Sequence, residues 1–396
     1  MTSSLIVPAF NEQDVIVEAV RHLTRIERYF NEIYVVDDGS TDYTPEIVRE
    51  FLDVKQTKVE FIQLEKNTSK VGAIKKAVEM SSSDKITLMD ADTRIRNPEK
   101  ITEAEKIIED EGLAGLAFKV VPDRPSALKD KIWSMVQDLD YGVGRISHLY
   151  TSSERLRFRG QKTVRCVPGA GGMYDRETLL EAFEYHSGRH SGDDMELTSI
   201  IQFELGEEID LYDEIDFETH VPKNYSTLVS QRKRWSKGVF QSLDFQREGF
   251  KSEIKKMTRM GHIALYDVFL IMIAFGFVSY FFMMLAQGRF LRMAALARRV
   301  YTADMMLVTV MGIYTYYRGQ QDHRMSMAMI PFMPAFRAAI FFPSVILSAV
   351  EYTWDRAAGK GPTSVVEAQA TVYRGMNEPV RQPMRQPREE VGGVPQ

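Results

Sequence analysis

Lys85–Ile95 reads KITLMDADTRI, an apolar run (Ile86, Leu88, Met89) that stops on two carboxylates, Asp90 and Asp92, with only Ala91 between them. An apolar run that ends at once in acids is the pattern of a buried strand. Such a strand presents its functional groups just beyond its carboxyl end, where open α/β sheets bind ligands. Working outward, further β-type runs at Leu5–Phe10, Ile33–Asp37, Lys58–Leu64 and Leu113–Val121 alternate with helical patterns. This alternation predicts an α/β domain with a Rossmann-like, mostly parallel sheet. Asn11, Thr44-Pro45 and Asn97-Pro98 mark helix starts, and Gly112 closes the last of these helices. The ends of strands one, two and four then bring Pro8–Glu12, Asp37–Asp42 and Asp90–Asp92 to one edge of the sheet.

The 396 residues leave room for more than one domain at about 150 residues each. With 50 basic and 55 acidic residues the formal charge is −5, which gives no reason to expect a nucleic-acid partner. Basic charge is concentrated locally: between Lys223 and Met260 there are ten Lys and Arg against three Asp and Glu. A single cysteine, Cys166, excludes an internal disulfide and a cysteine-cluster zinc site. MTSSLIVPAF does not read as a secretory signal, so the first part of the chain is expected in the cytoplasm.

After the fifth strand, apolar residues at intervals of three and four predict a long amphipathic helix over 126–150. QKTVRCVPGAGGMYDRETL predicts a strand, a glycine-rich turn and a helix. Gly192, Asp193 and Asp194 precede another apolar helix, and 225–240 reads as a basic helix carrying Trp235 and Phe240. The stretches 126–150 and 225–260 are candidates for helices at a membrane interface, against plain core packing. From 261 to 354 the composition predicts about three transmembrane segments. These are Ile263–Ala286, Met305–Tyr317 extending back to Val300, and Met327–Val350. The last is interrupted by Pro331, Pro334 and Pro343, which leaves Ala338–Tyr352 to span. Four arginines in Gly288–Arg299 call for either a basic interfacial helix or a re-entrant segment, and 355–396 reads as a disordered polar tail. The soluble domain is accordingly expected over 1–240.

Each polar cluster suits one task. Asp90 and Asp92 offer carboxylate oxygens to a hard cation, Mn2+ or Mg2+, that would hold a diphosphate. Pro8, Phe10 and Glu12, with Asp37 and Asp38, are placed to hydrogen-bond a uracil and ribose. Asp194, beside Asp193 at a helix start, is a candidate general base, its proton affinity raised by the neighbouring carboxylate. Arg234 suits a departing diphosphate and Trp235 a sugar ring.

The order and spacing of VPAFNEQ, VVDDGSTD, MDADT, VPGAGGMYDR, SGDDMELT and QRKRWSK resemble the processive family 2 glycosyltransferases, the cellulose, chitin and hyaluronan synthases. The resemblance spans residues 4 to about 240 and is strongest to hyaluronan synthases in CVPGAGGMY, GDD followed by Leu197-Thr198, and RWSK. It implies a GT-A fold, a UDP-sugar donor, a divalent cation and inversion at the anomeric carbon. It also implies that Asp38 contacts the uracil, Lys70 the donor, Asp90 and Asp92 the nucleotide and metal, and that Asp194 is the base. Gln231, Arg234 and Trp235 match the segment that closes over diphosphate and acceptor. The chain departs from the family in starting directly at strand one and in lacking a glycine before Lys70.

Three functions compete on these residues. The first is a multi-pass cell-membrane enzyme with a cytoplasmic catalytic domain, elongating a β-linked polysaccharide from UDP-GlcNAc or UDP-glucuronate. The second is a single sugar transfer to a polyprenyl phosphate or glycolipid. The third is a nucleotide-binding membrane receptor or transport subunit without catalysis. The expected partners are the UDP-sugar, a glycan or lipid-linked acceptor, membrane lipid, and either a second copy of the chain or a channel partner.

Overall fold

The computed structural model describes residues 2–152, 162–188, 192–255, 282–317 and 326–359, with isolated helical positions between 265 and 280. The expected span Ile263–Ala286 lies mostly outside the described residues, and the expected tail lies outside them beyond 359.

Eight strands form one sheet: β1 (Ser3–Ala9), β2 (Glu32–Asp37), β3 (Val59–Gln63), β4 (Lys85–Met89), β5 (Thr93–Ile95), β6 (Gly115–Pro122), β7 (Gly171–Asp175) and β8 (Ile209–Thr219). Their spatial order is β3-β2-β1-β4-β7-β6-β8-β5. The first four pair in parallel, β7 runs antiparallel between β4 and β6, and β8 runs parallel to β6. Side chains alternate across the sheet with period two. Leu5, Val7, Ile33 and Val35 face a core with α1 (Ile16–Ile26), α2 (Thr44–Val54) and α4 (Ile101–Glu111). Ile6, Tyr34 and Val36 face a second core with α3 (Ser69–Met80), α6 (Arg176–Tyr185) and α7 (Asp193–Ser199). The result is a three-layer α/β/α domain, and the ends of β1, β2 and β4 share one edge as expected.

Three parts differ from the sequence reading. The strand expected in QKTVRCVPGAGGMYD lies on the glycines themselves. At Gly171 a Cβ would come within 2.5 Å of the Phe217 ring, and at Gly172 within 2.3 Å of Val167. Glycine here permits close strand packing where a turn was expected. Strand β8 was not anticipated. Its register against β6 jumps from Phe118↔Tyr212 to Lys119↔Asp216, and this bulge breaks the alternation by which a strand is recognised. The strand β5 is only three residues long.

The helix expected over 126–150 is α5 (Leu128–Ser152), and the basic helix is α8 (Tyr225–Phe245), followed by α9 (Arg247–Lys255). Beyond them lie the helices Phe290–Tyr317 and Met333–Ala357. Among the described residues one helical stretch, Ser326–Ala357, is long and apolar enough to cross a membrane, with a mean hydropathy of 1.7 over its apolar 18-residue window. Helix Phe290–Tyr317 carries Arg292, Arg298, Arg299 and Asp304 and is not such a stretch; its arginine-rich start is helical, as an interfacial segment requires. The prolines do not confine the last helix to Ala338–Tyr352. Pro334 sits in its first turn, where a missing N–H costs nothing. Pro343 lies inside it and removes the N–H that would bond the Ala339 carbonyl; that carbonyl accepts the Tyr225 hydroxyl at 3.1 Å instead.

Candidate active site

The loops after β1 and β2 are stapled together. Asn11 has a left-handed backbone (φ 57°), which Asn tolerates. Its Oδ1 accepts the Thr41 N–H at 2.8 Å, and its own N–H reaches Ser40 Oγ at 2.8 Å. The Glu12 N–H donates to Thr44 Oγ1 at 2.8 Å. Pro8 lies within β1, and Phe10 stands exposed at its end. Asp37 is fully buried and accepts the Ser40 N–H at 3.3 Å. Asp38, only 2% exposed, accepts the N–H and the hydroxyl of Thr68 at 2.6 and 2.8 Å. It therefore acts first on the polypeptide, tying the end of β2 to the start of α3. At Gly39 (φ 72°) a Cβ would stand 2.7 Å from the Asn67 backbone nitrogen, so only glycine lets these loops close.

At the next strand end negative charge is crowded. The Glu12 carboxyl is pushed up to about 7, by burial first and then by Asp92, Asp90, Asp42 and Asp14. Asp92 is also raised, by burial and then by Asp90, against the hydroxyls of Thr93 and Thr219 at 3.0 and 3.2 Å and the nearby His220. Oxygen donors forced together in this way are what a hard divalent cation relieves. Among the described residues no three His, Cys, Asp or Glu side chains gather closely enough to hold a metal unaided. The donor set therefore fits a cation shared between Asp90, Asp92 and the phosphates of a ligand, the usual manner for magnesium.

Lys70 links this corner to the next. Its ammonium pairs with Asp90. Burial works against its charge, yet Asp90, Asp194 and Asp193 outweigh burial and hold it protonated. A Cβ at Gly169 would lie 3.0 Å from Lys70 Nζ and 3.6 Å from Asp194 Oδ2, so the three meet at one point. Asp194 sits in the first turn of α7, its oxygens accepting N–H groups of Gly169 at 3.2 Å and Met195 at 2.9 Å. Cys166 lies beside it, the thiol pushed well up by burial first and then by Asp194. The Asp193 carboxyl is raised by burial, Glu196 and Asp194, against His186.

The helix α8 approaches from the other side. Asn224 caps it, accepting the Thr227 N–H at 3.0 Å. A Cβ at Gly192 would come within 2.9 Å of Gly238 Cα, so paired glycines let α8 touch the start of α7. Among its basic residues, Arg232 pairs with Asp140 of α5 at 2.8 Å, Lys233 with Glu351 at 2.6 Å, and Lys237 with Glu351 and Asp355 at 2.7 and 2.6 Å. Arg234 is exposed and, among the described residues, has no such partner. Trp235 is 41% exposed, and one face of its ring is taken by the Arg232 guanidinium, 4.1 Å from the ring centre. Only the rest of the ring is open to a ligand. Tyr141 flanks it at 6.1 Å, and Gln231 Oε1 is buried without a hydrogen-bond partner.

The structure thus brings Glu12, Lys70, Asp90, Asp92, Asp193 and Asp194 to one edge of the sheet. It sets Gln231, Arg234 and Trp235 on a helix that touches α7. Pro8, Phe10, Asp37 and Asp38 form the adjoining loops. The sequence reading missed His220, whose N–H donates to the Asp92 carbonyl at 3.2 Å; a lone histidine after an unrecognised strand gave no signal. Tyr141 was missed for a similar reason, since it matters only through Trp235, far along the chain.

Residues 4–181 match the Glycosyl transferase family 2 model. An N-acetylglucosaminyltransferase of Neorhizobium galegae is 27% identical over 246 residues, 60% of this chain and 54% of the relative. A poly-beta-1,6-N-acetyl-D-glucosamine synthase of Staphylococcus epidermidis is 30% identical over 92 residues, 23% of this chain and 22% of the relative. The chain thus spans about half the length of the former, and less of the latter. Among solved structures, the mannosyltransferase PcManGT from Pyrobaculum calidifontis, in complex with GDP-Man and Mn2+, superposes with a TM-score of 0.51 at 16% identity. That match covers 89% of this chain and 87% of the other, a likeness of fold. Over residues 4–181 this chain is therefore similar to the Glycosyl transferase family 2 model, and its α/β fold with a mostly parallel sheet is GT-A-like.

Proposed function

We propose that this chain is a membrane-associated, inverting transferase that moves a sugar from a UDP-sugar, UDP-GlcNAc foremost, to a growing β-linked glycan. One observation carries the reading. Arg234 and Trp235 sit on a helix packed against the start of α7, where Asp193 and Asp194 lie, and Lys70, paired with Asp90, lies beside the same Gly169 whose N–H bonds Asp194. Groups suited to a departing diphosphate, an acceptor and an acceptor proton are therefore carried on neighbouring elements, which supports the reading.

A divalent cation, held by Asp90 and Asp92, would supply positive charge to the diphosphate when bound. The chain's own groups do the rest. The loops of Pro8–Glu12 and Asp37–Asp42 hold the nucleotide, and Lys70 anchors the donor. Asp194, its Oδ2 held by the Gly169 N–H, takes the proton of the acceptor hydroxyl as that oxygen attacks the anomeric carbon. Arg234 meets the charge that develops on the leaving diphosphate. The open part of the Trp235 ring seats the acceptor sugar.

The GlcNAc choice is supported by the printed activities of the relatives, and the hyaluronan-synthase likeness rests on the motifs alone. Membrane attachment is supported by the apolar stretch Ser326–Ala357 and by the exposed apolar side chains of helix Phe290–Tyr317, such as Leu291, 89% exposed. A second reading, single transfer to a lipid phosphate, is favoured by Arg232 on Trp235, which leaves less ring for a polymer. The test is incubation of the purified full chain with a panel of UDP-sugars and Mn2+, reading UDP release and product mass. Extended products from UDP-GlcNAc are expected; one lipid-linked sugar selects the second reading, and nucleotide binding without donor consumption removes both.

A further inference from the structure

The helix α8 has two working faces. Positions 231, 234, 235 and 238 share one face by their spacing, with Gly238 meeting Gly192 at the start of α7, while 233, 237, 240 and 244 turn toward the helix Met333–Ala357. On the second face Phe240 stacks on Tyr352 with centroids 5.9 Å apart, Arg356 pairs with Asp244, and the Ser344 hydroxyl reaches the Val229 carbonyl at 3.4 Å. In the middle of this seam Glu351 forks: Oε2 lies 2.6 Å from Lys233 Nζ and Oε1 2.7 Å from Lys237 Nζ, with Asp355 2.6 Å from the same Lys237.

We propose that Glu351, with Asp355, is a positioning residue of the transfer reaction, setting the rotation of α8 and thereby the placement of Arg234 and Trp235. The inference rests on the roles given to those two residues above. Glue is a poor explanation for the fork. The Lys233 arm is open, Lys233 and Glu351 being 37% and 38% exposed, and such a pair contributes about 0–1 kcal/mol, which leaves only Lys237, 13% exposed, as a deeper contact. Apolar packing and the aromatic stack already hold the helices together. A carboxylate gripping two lysines one turn apart adds direction. It brackets Arg234 and Trp235 in sequence and stops α8 from rolling on its neighbour. Successive residues are spaced about 100° around a helix, so a modest roll carries the Arg234 guanidinium off the diphosphate. Misplacement by about 1 Å can cost up to about 10²-fold in rate.

The experiment compares wild type, Glu351→Gln combined with Asp355→Asn, and the conservative Glu351→Asp. The full-length chain is used, with the donor that wild type consumes. UDP affinity, donor KM, kcat per UDP-binding site and melting temperature are read for each. The expected result for the double variant is a fall in kcat of about 10- to 10²-fold, with UDP affinity and donor KM nearly unchanged, and substantial recovery in Glu351→Asp. If kcat per UDP-binding site equals wild type, or falls only in step with the folded fraction, the proposal is overturned. Were the double variant to lose its fold, Glu351→Gln alone makes the same comparison. Should wild type consume no donor at all, the transferase reading itself falls and takes this inference with it.

Discussion

Glu12 and Glu32 are the same side chain at opposite ends of the same parallel sheet. Glu32 opens β2, where the hydroxyls of Ser4, Ser81 and Ser82 reach it at 2.7, 2.8 and 2.5 Å. Burial alone would raise its carboxyl, but those hydroxyls and the Ser82 N–H bring it down to about 2. Glu12 follows β1 and faces four other carboxylates, which with burial push it up to about 7. At one end the chain supplies the Glu32 carboxylate with several hydroxyl donors; at the other, Glu12 is half-buried among acids and bonds none of them. The difference separates a carboxylate satisfied by the fold from one crowded by other acids, which is the pattern expected where a cationic or phosphate-bearing ligand binds.

The contrast can be broken in three ways. The largest effect is expected at the crowded end. Asp194→Asn should lower sugar transfer by roughly 10²–10⁴-fold while leaving the melting temperature near wild type, as checked by UDP release and thermal unfolding. Near-normal turnover would remove Asp194 from the chemistry.

The satisfied end should behave in the opposite sense. Glu32→Ala leaves the buried hydroxyls of Ser4 and Ser83 without their acceptor and should cost about 1–3 kcal/mol in chemical denaturation, with specific activity of the folded protein unchanged. Since the folded Glu32 carboxyl lies below its unfolded value of 4.5, its contribution is present above about pH 4.5. It is lost as pH falls toward about 2, and the variant should lack that part of the acid dependence. A loss of activity without loss of stability would upset the comparison.

The smallest effect concerns Glu12. Its folded carboxyl is raised from 4.5 to about 7, so the protonated form is favoured by folding. Its contribution to stability declines as pH rises from about 4.5 to about 7. Without divalent cation, Glu12→Gln should therefore raise the melting temperature at pH 8 by a few degrees and change it little near pH 5. An equal shift at both values would mean that Glu12 is not crowded by charge.

Much of this contrast was legible in the sequence. Strands β1, β2 and β4 are unbroken apolar runs ending in acids, and the mostly parallel pairing puts those ends together. Lys70, Asp92 and Asp194 were singled out because each belongs to a short motif, and the fold brings all three to this edge. What stayed hidden depends on partners far apart in the chain. The stacking of Arg232 on Trp235 is fixed by Asp140, more than ninety positions away. The bulge in β8 concealed the strand that brings Thr219 and His220 to Asp92. Asp38 was expected against a base, yet its carboxylate is spent on Thr68, a bond that local spacing does not announce. Pro343 read as an interruption because the donor that answers the freed carbonyl lies on α8.

That donor gives the proline a use. An unbroken apolar helix satisfies all its own carbonyls and is a nearly featureless rod, able to seat on α8 one turn higher or lower at little cost. Removing a single N–H writes an address on it. Ala339 offers an acceptor, Tyr225 at the start of α8 is the donor in reach, and the two helices acquire one register, with Glu351 then falling opposite Lys233 and Lys237.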